Sequence, residues 1–334
     1  MNLESVARRA KVSTATVSRT INGSDKVSPA TAARVMKAIE ALNFYPNTNA
    51  RALGTGRSHM FGLIISDITN PFFPELVKAF EDIAVEHGQE VLVTNTNYDQ
   101  VRMEKCVRRM LQRKVDGVAI MTSEMDESLI HSFSRRGIPM VFLDNGHPAK
   151  GVSTIQVDYE AGIDTAVQHL TDLGHNRIAF ISGPITLASA RTRADAFRSS
   201  MASHKVPINR SWVKEGDHRV EGGRDAMYRI LASNDRPTAV IASNDLTAIG
   251  AIGAIHESGL LVPDNISVIG FDDIQLSAFT QPPLTTLRLP RDVVATMAFH
   301  ALFQSYEKVK KVQMPDSVIH PILIVRHSTG PAMK

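Results

Sequence analysis

One face of a short predicted helix near the amino terminus combines small side chains with a single arginine. Its four members recur at helical spacing and therefore share one side of the helix: Thr14, Ala15, Ser18 and Arg19. The small side chains allow close approach to another surface, and the Arg19 guanidinium can donate two hydrogen bonds to O6 and N7 of a guanine. This face therefore predicts a helix that reads bases in the major groove of DNA.

Three predicted helices within residues 1–46 would hold that face in position. Ser13 is suited to cap the second helix, and Ser28 is suited to cap a third that begins with proline. We predict a helix-turn-helix domain whose second helix, residues 14–22, lies in the major groove with Asn22 at its end. The alternative is an ordinary helical hairpin with a solvated polar face.

Residues 47–59 are predicted to form a hinge helix and a linker. The possible helix, residues 47–53, is too short to be stable alone in water, so we expect it to order only when it docks on DNA. Leu53 has no evident core to enter, which makes it a candidate wedge between base pairs in the minor groove, with Arg51 beside it. The alternative is a flexible linker.

Polar side chains also gather just after predicted strands in the second, larger part of the chain. They are accompanied by two neighbouring aromatic residues and a histidine, and together they form the candidate ligand site: Phe72, Phe73, Asp144, Asn145, Arg193, His218, Asn244 and Asp272. In open α/β sheets the carboxyl ends of the strands form the ligand-binding edge, and this mixture suits a small, hydroxyl-rich ligand. The alternative for any one acid at such a junction is a helix cap.

Strands and helices alternate throughout residues 60–330. Apolar runs typical of buried strands, such as residues 90–95, 117–121 and 239–243, are separated by amphipathic helical segments. So many repeats of this unit predict two lobes rather than one sheet. The predicted fold is an all-α helix-turn-helix head followed by an α/β core of two doubly wound lobes.

Charge is distributed unevenly along the chain. Residues 1–58 hold nine basic and three acidic side chains, a net charge of +6, whereas the whole chain carries +3 and the remainder therefore −3. A basic head on a mildly acidic body is typical of a nucleic-acid-binding protein. The single cysteine excludes a disulfide framework, and without a leader-like or membrane-spanning apolar stretch we expect a cytoplasmic protein.

The sequence resembles the LacI/GalR family of bacterial transcription regulators over nearly its whole length. The motifs that carry the resemblance are VARRAKVSTATVSRTING, YPNTNARAL, TNPFF, RKVDGVAIM, LGHNRIAFISGP, SNDLTAIGAI, VPDNISVIGFDD and PPLTTLRLP. The resemblance implies a homodimer that grips a pseudo-palindromic operator in double-stranded DNA. It also implies a core like a periplasmic sugar-binding protein, with lobe 1 formed by residues 60–158 and 288–319 and lobe 2 by residues 159–287 and 320–330.

The resemblance also assigns roles to individual residues. Thr14, Ala15 and Arg19 match base-reading positions, Leu53 matches an intercalating leucine, and the predicted ligand residues match the effector site of the family. Three positions depart from the family pattern: His218 replaces a frequent aromatic, Leu289 a frequent glutamine, and Leu187 the arginine of purine-responsive members. The last departure favours a sugar as effector.

The predicted function is therefore a DNA-binding transcriptional repressor controlled by a sugar or sugar derivative. A nucleobase-responsive regulator of the same fold is the first alternative, and an exported solute-binding protein is another. An enzyme is a third, but the sequence shows neither a dinucleotide fingerprint nor a P-loop nor a catalytic serine or zinc motif. We expect no cofactor and no metal, no membrane partner, and a dimer rather than a tetramer because the chain ends without heptad repeats.

Overall fold

The computed structural model describes residues 2–21, 24–45, 57–122, 127–144, 151–233, 235–307 and 318–333. By its internal packing the chain divides into a small unit, Met1–His59 together with Arg113–Val115, and a large unit, Met60–Gln112 together with Asp116–Lys334. The predicted residues Asn22, Arg51, Leu53 and Asn145 lie outside the described residues.

The small unit contains three helices, α1 (Leu3–Ala10), α2 (Thr14–Ile21) and α3 (Pro29–Ala41). Side-chain caps fix where they begin: the Ser13 hydroxyl accepts a hydrogen bond from the Thr16 amide at 3.2 Å, and Ser28 accepts one from Thr31 at 3.4 Å. One fully buried valine from each helix, Val6, Val17 and Val35, contributes to the common core. The unit is thus the three-helix domain that the sequence predicts.

The first lobe of the large unit is a six-stranded parallel sheet in the order β11-β5-β4-β3-β1-β2. Its strands are β1 (Met60–Ile65), β2 (Glu90–Asn95), β3 (Gly117–Met121), β4 (Met140–Leu143), β5 (Val152–Val157) and β11 (Val318–Ile319). Its helices are α4 (Phe72–Glu86), α5 (Gln100–Arg113), α6 (Glu127–Ser134) and α11 (Arg291–Glu307). Every residue of β3 is buried, as expected for a parallel strand with both faces covered.

The second lobe is another six-stranded sheet, in the order β12-β10-β9-β8-β6-β7. Its strands are β6 (Ile178–Ser182), β7 (Val213–Glu215), β8 (Ala239–Ala242), β9 (Ser267–Asp272), β10 (Thr285–Arg288) and β12 (Ile322–Ile324), of which β12 pairs antiparallel to β10. Its helices are α7 (Tyr159–Asp172), α8 (Ala188–Ser203), α9 (Val220–Leu231) and α10 (Asp245–Glu257).

The chain passes between the two lobes three times. It leaves the first sheet between β5 and α7, returns between β10 and α11, and crosses again between β11 and β12. The predicted two-lobe α/β architecture is confirmed, and the strand limits that the sequence predicts differ from the observed ones by about one residue. None of the described helices is long and apolar enough to span a bilayer.

Candidate functional site

The predicted DNA-reading face lies on the outer side of α2. Thr14, Ala15, Ser18 and Arg19 are all exposed, whereas Val17 on the opposite side is fully buried. Among the described residues, no acidic side chain forms an ion pair with Arg19, so its guanidinium is available to a ligand. An exposed helical face of three small residues and one arginine can approach base edges closely and donate a bidentate pair of hydrogen bonds.

The second candidate site is a cleft between the two lobes, at the carboxyl ends of their strands. Every predicted ligand residue that the structure describes contributes to its lining: Phe72, Phe73, Asp144, Arg193, His218, Asn244 and Asp272. Side chains that sequence reasoning did not select as ligand residues also line it, among them Asn70, Tyr98, Thr122, Tyr159 and Ser189. The cleft thus combines aromatic surface with donors and acceptors from both lobes.

Arg193 of α8 is the central cation of this cleft. Its guanidinium carbon lies 4.8 Å from the ring centroid of Tyr159 and 4.8 Å from that of Phe271, so it is stacked between two aromatic faces. Its Nη1 donates to the Ser243 carbonyl oxygen at 2.7 Å, while its buried Nε has no hydrogen-bond partner among the described residues. Burial by itself lowers the pKa of Arg193, but Tyr159, Asp272 and Asp144 raise it, so the group remains cationic.

Asp144 and Tyr159 connect this arginine to the first lobe. Asp144 follows β4 with a φ of 68°, and its Oδ1 accepts a hydrogen bond from the Val157 amide at 2.9 Å. Its Oδ2 accepts a hydrogen bond from the Tyr159 hydroxyl, which is also 3.4 Å from Arg193 Nη2. Burial, followed by the nearby carboxylate, raises the pKa of Tyr159, so the phenol stays protonated and acts as the donor. Sequence reasoning missed Tyr159, although it lies just past the end of β5 and the strand-end rule could have found it.

Asp272 is the buried acid of the second lobe that faces Arg193. It ends β9 with a φ of 109° and is 6% exposed. Its backbone oxygen accepts a hydrogen bond from Arg291 Nη1 at 2.6 Å. Burial raises the pKa of its carboxyl to about 7, although Arg193 and Arg291 act in the opposite direction. A ligand hydroxyl that donates to this carboxylate would favour its ionised form.

Asn244 caps a helix, a role that the sequence indicated as an alternative only for the acids at such junctions. Its Oδ1 accepts from the Thr247 amide at 2.9 Å, which caps α10, and its Nδ2 donates to the His218 carbonyl oxygen at 2.9 Å. The residue lines the cleft, but these contacts occupy much of its hydrogen-bonding capacity. Its role in holding α10 and residue 218 in place is therefore evident from the geometry.

His218 fills the space beside a glycine at the base of the cleft. A Cβ at Gly183 would lie 2.0 Å from His218 Nε2, so only glycine permits this packing. Burial, followed by the nearby cation Arg193, lowers the pKa of His218 to about 3, so its imidazole is neutral. Its ring is stacked 6.2 Å from that of Tyr98 in the first lobe. The aromatic wall on that side is completed by Phe72 and Phe73, whose rings meet edge to face.

Arg219 joins the two lobes at the cleft. From the start of α9 its Nη2 donates to Asp67 Oδ2 at 3.1 Å and to Asn97 Oδ1 at 2.9 Å, and both acceptors belong to the first lobe. Burial raises the pKa of Asp67, but Thr69 and Arg219 outweigh it, so the pKa is lowered and the acid is ionised. We call this trio, Asp67, Asn97 and Arg219, the lobe clasp. Because 152 residues separate Arg219 from Asp67, no local sequence pattern could predict it.

Among the described residues there is no cluster of three or more histidine, cysteine, aspartate or glutamate side chains that could hold a metal ion. The cleft is therefore built from hydrogen-bonding, ionic and aromatic groups. Such groups bind and orient a polar organic molecule.

Comparisons with known proteins identify the family to which this chain is similar. Residues 2–47 match the model of bacterial regulatory proteins of the lacI family, and residues 167–329 match a periplasmic binding protein-like domain. The ribose operon repressor of Escherichia coli is 37% identical over 98% of this chain and 99% of its own. The HTH-type transcriptional repressor PurR of Photobacterium profundum is 33% identical over 98% of both chains. A crystal structure of the lac repressor dimer bound to operator and the anti-inducer ONPF superposes with a TM-score of 0.87, with 29% identity and 99% of both chains covered.

Proposed function

The chain belongs to the LacI family of bacterial regulatory proteins, and from this premise we propose that it represses transcription as a homodimer controlled by a sugar. In the proposal, α2 of each subunit reads one half of a pseudo-palindromic operator in double-stranded DNA. The small molecule binds between the lobes, where the role of the cleft is binding and not catalysis. The site of action is the cytoplasm, which holds bacterial DNA.

The observation that carries the proposed effector class is the charge balance around Arg193. This buried cation is accompanied by two carboxyl groups, the half-buried Asp144 and the buried Asp272, so the described residues of the cleft leave no surplus positive charge for a phosphate or a carboxylate. Carboxylate acceptors and a guanidinium whose Nε has no partner in the described part of the chain suit a neutral ligand rich in hydroxyl groups. The Phe72 and Phe73 rings offer flat apolar surface on which the C–H face of a sugar ring can pack.

A nucleobase is the second candidate, because one relative is a PurR repressor. Leu187, which stands where purine-responsive members carry an arginine, is 7% exposed and lines the cleft. An apolar side chain here provides no hydrogen bond to a base edge. This supports the sugar over the nucleobase.

The proposal is tested with DNA and ligand binding by the unmodified protein. Selection from a random duplex library should enrich a two-fold symmetric sequence. A thermal-shift screen of ribose, other pentoses and hexoses, sugar acids and purines should then identify the effector, since a ligand at 100 times its Kd stabilises the fold by about 2.7 kcal/mol. Failure to enrich any symmetric sequence contradicts the regulator, and stabilisation by a purine but by no sugar contradicts the effector class.

A further inference from the structure

Five exposed basic residues lie at one end of two neighbouring helices of the first lobe. Arg109 and Arg113 belong to the last turns of α5, Lys114 follows directly, and Arg135 and Arg136 follow α6. We call this set the basic rim. No ion pair between described residues involves any of its members, and Arg136 donates to the Ser132 carbonyl oxygen at 2.9 Å.

The sheet topology brings these residues to the same edge. α5 leads from the carboxyl end of β2 to the amino end of β3, and α6 leads from β3 to its neighbour β4. Both connections run in the same direction across the sheet, so right-handed crossovers place both helices on the same face. Their last turns therefore both lie at the amino edge of the sheet.

The same edge is where the chain enters the lobe. The Asp116 amide, two residues after Lys114, donates to the carbonyl oxygen of Met60 at 2.8 Å, and Met60 is the first residue of β1. The segment before β1 leads back to the helices of the DNA-binding unit. Between Tyr45 and Met60 there are 60 − 45 = 15 steps of chain, which can span at most about 50 Å. The chain that carries α2 is therefore joined to the lobe at this edge by a segment of at most that length.

Of the acids at this edge, Asp116 has an interaction partner within the protein. Glu86 and Glu90 belong to the connection from β1 to β2, which runs across the sheet in the opposite direction, so its helix α4 covers the opposite face. The helix dipole favours a basic side chain in the last turn of a helix, which explains one basic residue in each helix. It does not explain five exposed basic residues in two segments.

We propose that the basic rim is a second, sequence-independent DNA contact, which binds phosphates of the duplex beside the operator. The proposal rests on the proposed function, because it requires α2 to hold the DNA. Lysine and arginine side chains that approach phosphates release condensed counterions, so each such side chain adds to the salt dependence of affinity without adding sequence preference.

The test compares two double variants that remove the same charge from the same helix. Arg113→Gln with Lys114→Gln changes the rim. Arg102→Gln with Lys105→Gln changes exposed basic residues nearer the other end of α5. These residues lie about 12 Å or more along the helix from Arg113, which is beyond the screening length of about 8 Å at physiological ionic strength. Binding is measured by fluorescence anisotropy from 50 to 200 mM salt. The probes are a duplex selected from a random library by the unmodified protein, with 10 base pairs of flank on each side, and the same duplex without flanks.

With the flanked duplex, the rim variant should reduce the magnitude of the slope of log affinity against log salt by about 0.9 for each phosphate that is no longer neutralised. With the duplex without flanks, the slope should not change. The DNA sequence that the variant selects should also be unchanged. The control variant should leave the slope as in the unmodified protein. Equal slopes for all three proteins overturn the proposal, as expected if the rim instead binds an acidic protein. An unmodified protein that selects no sequence contradicts the proposed function and not the rim.

Discussion

At the scale of single residues, Asp272 shows a conflict between stability and binding. Its folded pKa of about 7 lies above the usual aspartate value of 3.8, because burial disfavours the charged form more than Arg193 and Arg291 favour it. The folded state therefore holds this proton more tightly than the unfolded state. The contribution of the Asp272 carboxyl to the free energy of unfolding is greatest at low pH and is lost as the pH rises from about 4 to about 7. A ligand that hydrogen-bonds to the carboxylate would recover part of this loss.

We predict that effector affinity rises with pH up to about 8 in the unmodified protein, by at most tenfold per pH unit, because the ligand selects the ionised Asp272. Asp272→Asn should weaken binding about tenfold or more at pH 8 and remove this pH dependence. Calorimetry at pH 6, 7 and 8 measures both effects. At pH 8 without ligand, Asp272→Asn should have a higher melting temperature than the unmodified protein. An effector affinity that does not change with pH in the unmodified protein would contradict the assignment of Asp272 as a ligand-binding carboxylate.

Tyr159 allows a milder test of how Arg193 is positioned. Tyr159→Phe keeps the ring beneath the guanidinium but removes the hydroxyl that bonds to Asp144 and lies near Arg193. We expect the effector to bind roughly 5- to 15-fold more weakly, the equivalent of about 1 to 1.5 kcal/mol for one hydrogen bond. Equilibrium binding of the sugar identified by the screen measures this change.

Tyr228→Phe is the matched control for that variant. The Tyr228 hydroxyl donates to Glu257 on the exposed side of α9, outside the cleft, so the chemical change is the same while the cleft is untouched. Its effector affinity should equal that of the unmodified protein. Equal losses in both variants would mean that Tyr159 has no specific role in the site.

The residues of the cleft could be anticipated to different degrees. Asp144, Asn244 and Asp272 end strands, so the strand-end rule and the family motifs both indicated them. Tyr98 and Tyr159 obey the same rule, but aromatic residues next to an aspartate look like ordinary core residues in a sequence. The Nε of Arg193 is buried and has no partner among the described residues, and this could not be predicted because it depends on which neighbours reach the guanidinium in three dimensions.

At the scale of elements, α2 presents the clearest test of the DNA-reading face. Arg19→Ala should relax the preference at one guanine in each half-site and cost about 1–3 kcal/mol per contact. Lys37 of α3 is also exposed. Lys37→Ala should weaken binding to all DNA sequences alike or have no effect. Repeating the library selection with both variants measures the change, and an unaltered preference in Arg19→Ala would contradict the choice of reading helix.

The lobe clasp predicts that the two lobes are held together by a contact that the effector does not make. Arg219→Gln removes the ion pair with Asp67 and the bond to Asn97, which should lower the closed fraction and weaken effector binding several-fold. Small-angle scattering of the ligand-free variant should show a larger radius of gyration. Arg224→Gln is the control, since Arg224 lies on the same helix but pairs with Glu257 within the second lobe. An unchanged radius and affinity in Arg219→Gln would mean that the clasp contributes nothing to closure.

Elements were easier to predict from the sequence than contacts between them. Buried parallel strands such as β3 and β8 are continuous apolar runs bounded by polar residues, so their existence and approximate limits follow from hydropathy. The lobe clasp and the stacking of Tyr98 on His218 join positions that are far apart in the chain. Such contacts arise from the packing of two lobes and leave no periodic trace in either segment.

At the scale of the whole molecule, DNA binding and ligand binding are expected to be separable by mutation and coupled in the unmodified protein. Leu53→Ala should weaken operator binding without changing effector affinity, because the predicted role of Leu53 is to insert into the minor groove of DNA. Asp272→Ala should abolish the effector response while leaving ligand-free operator binding nearly unchanged. The response itself requires only a 5- to 150-fold difference in effector affinity between two closure states, a coupling of about 1–3 kcal/mol. Operator titrations with and without the sugar measure both variants, and a normal response in Asp272→Ala would mean that the cleft is not the regulatory site.

The three passages of the chain between the sheets also determine how the gene can be divided. Each sheet takes its last strand, β11 or β12, from residues 318–324, long after the rest of that sheet has been synthesised. Neither lobe is therefore encoded by one uninterrupted stretch, and a premature stop before codon 318 removes a strand from both. To express one lobe alone, an engineer must join distant segments or permute the chain, and nascent lobes can complete their sheets only after residues 318–324 have been synthesised.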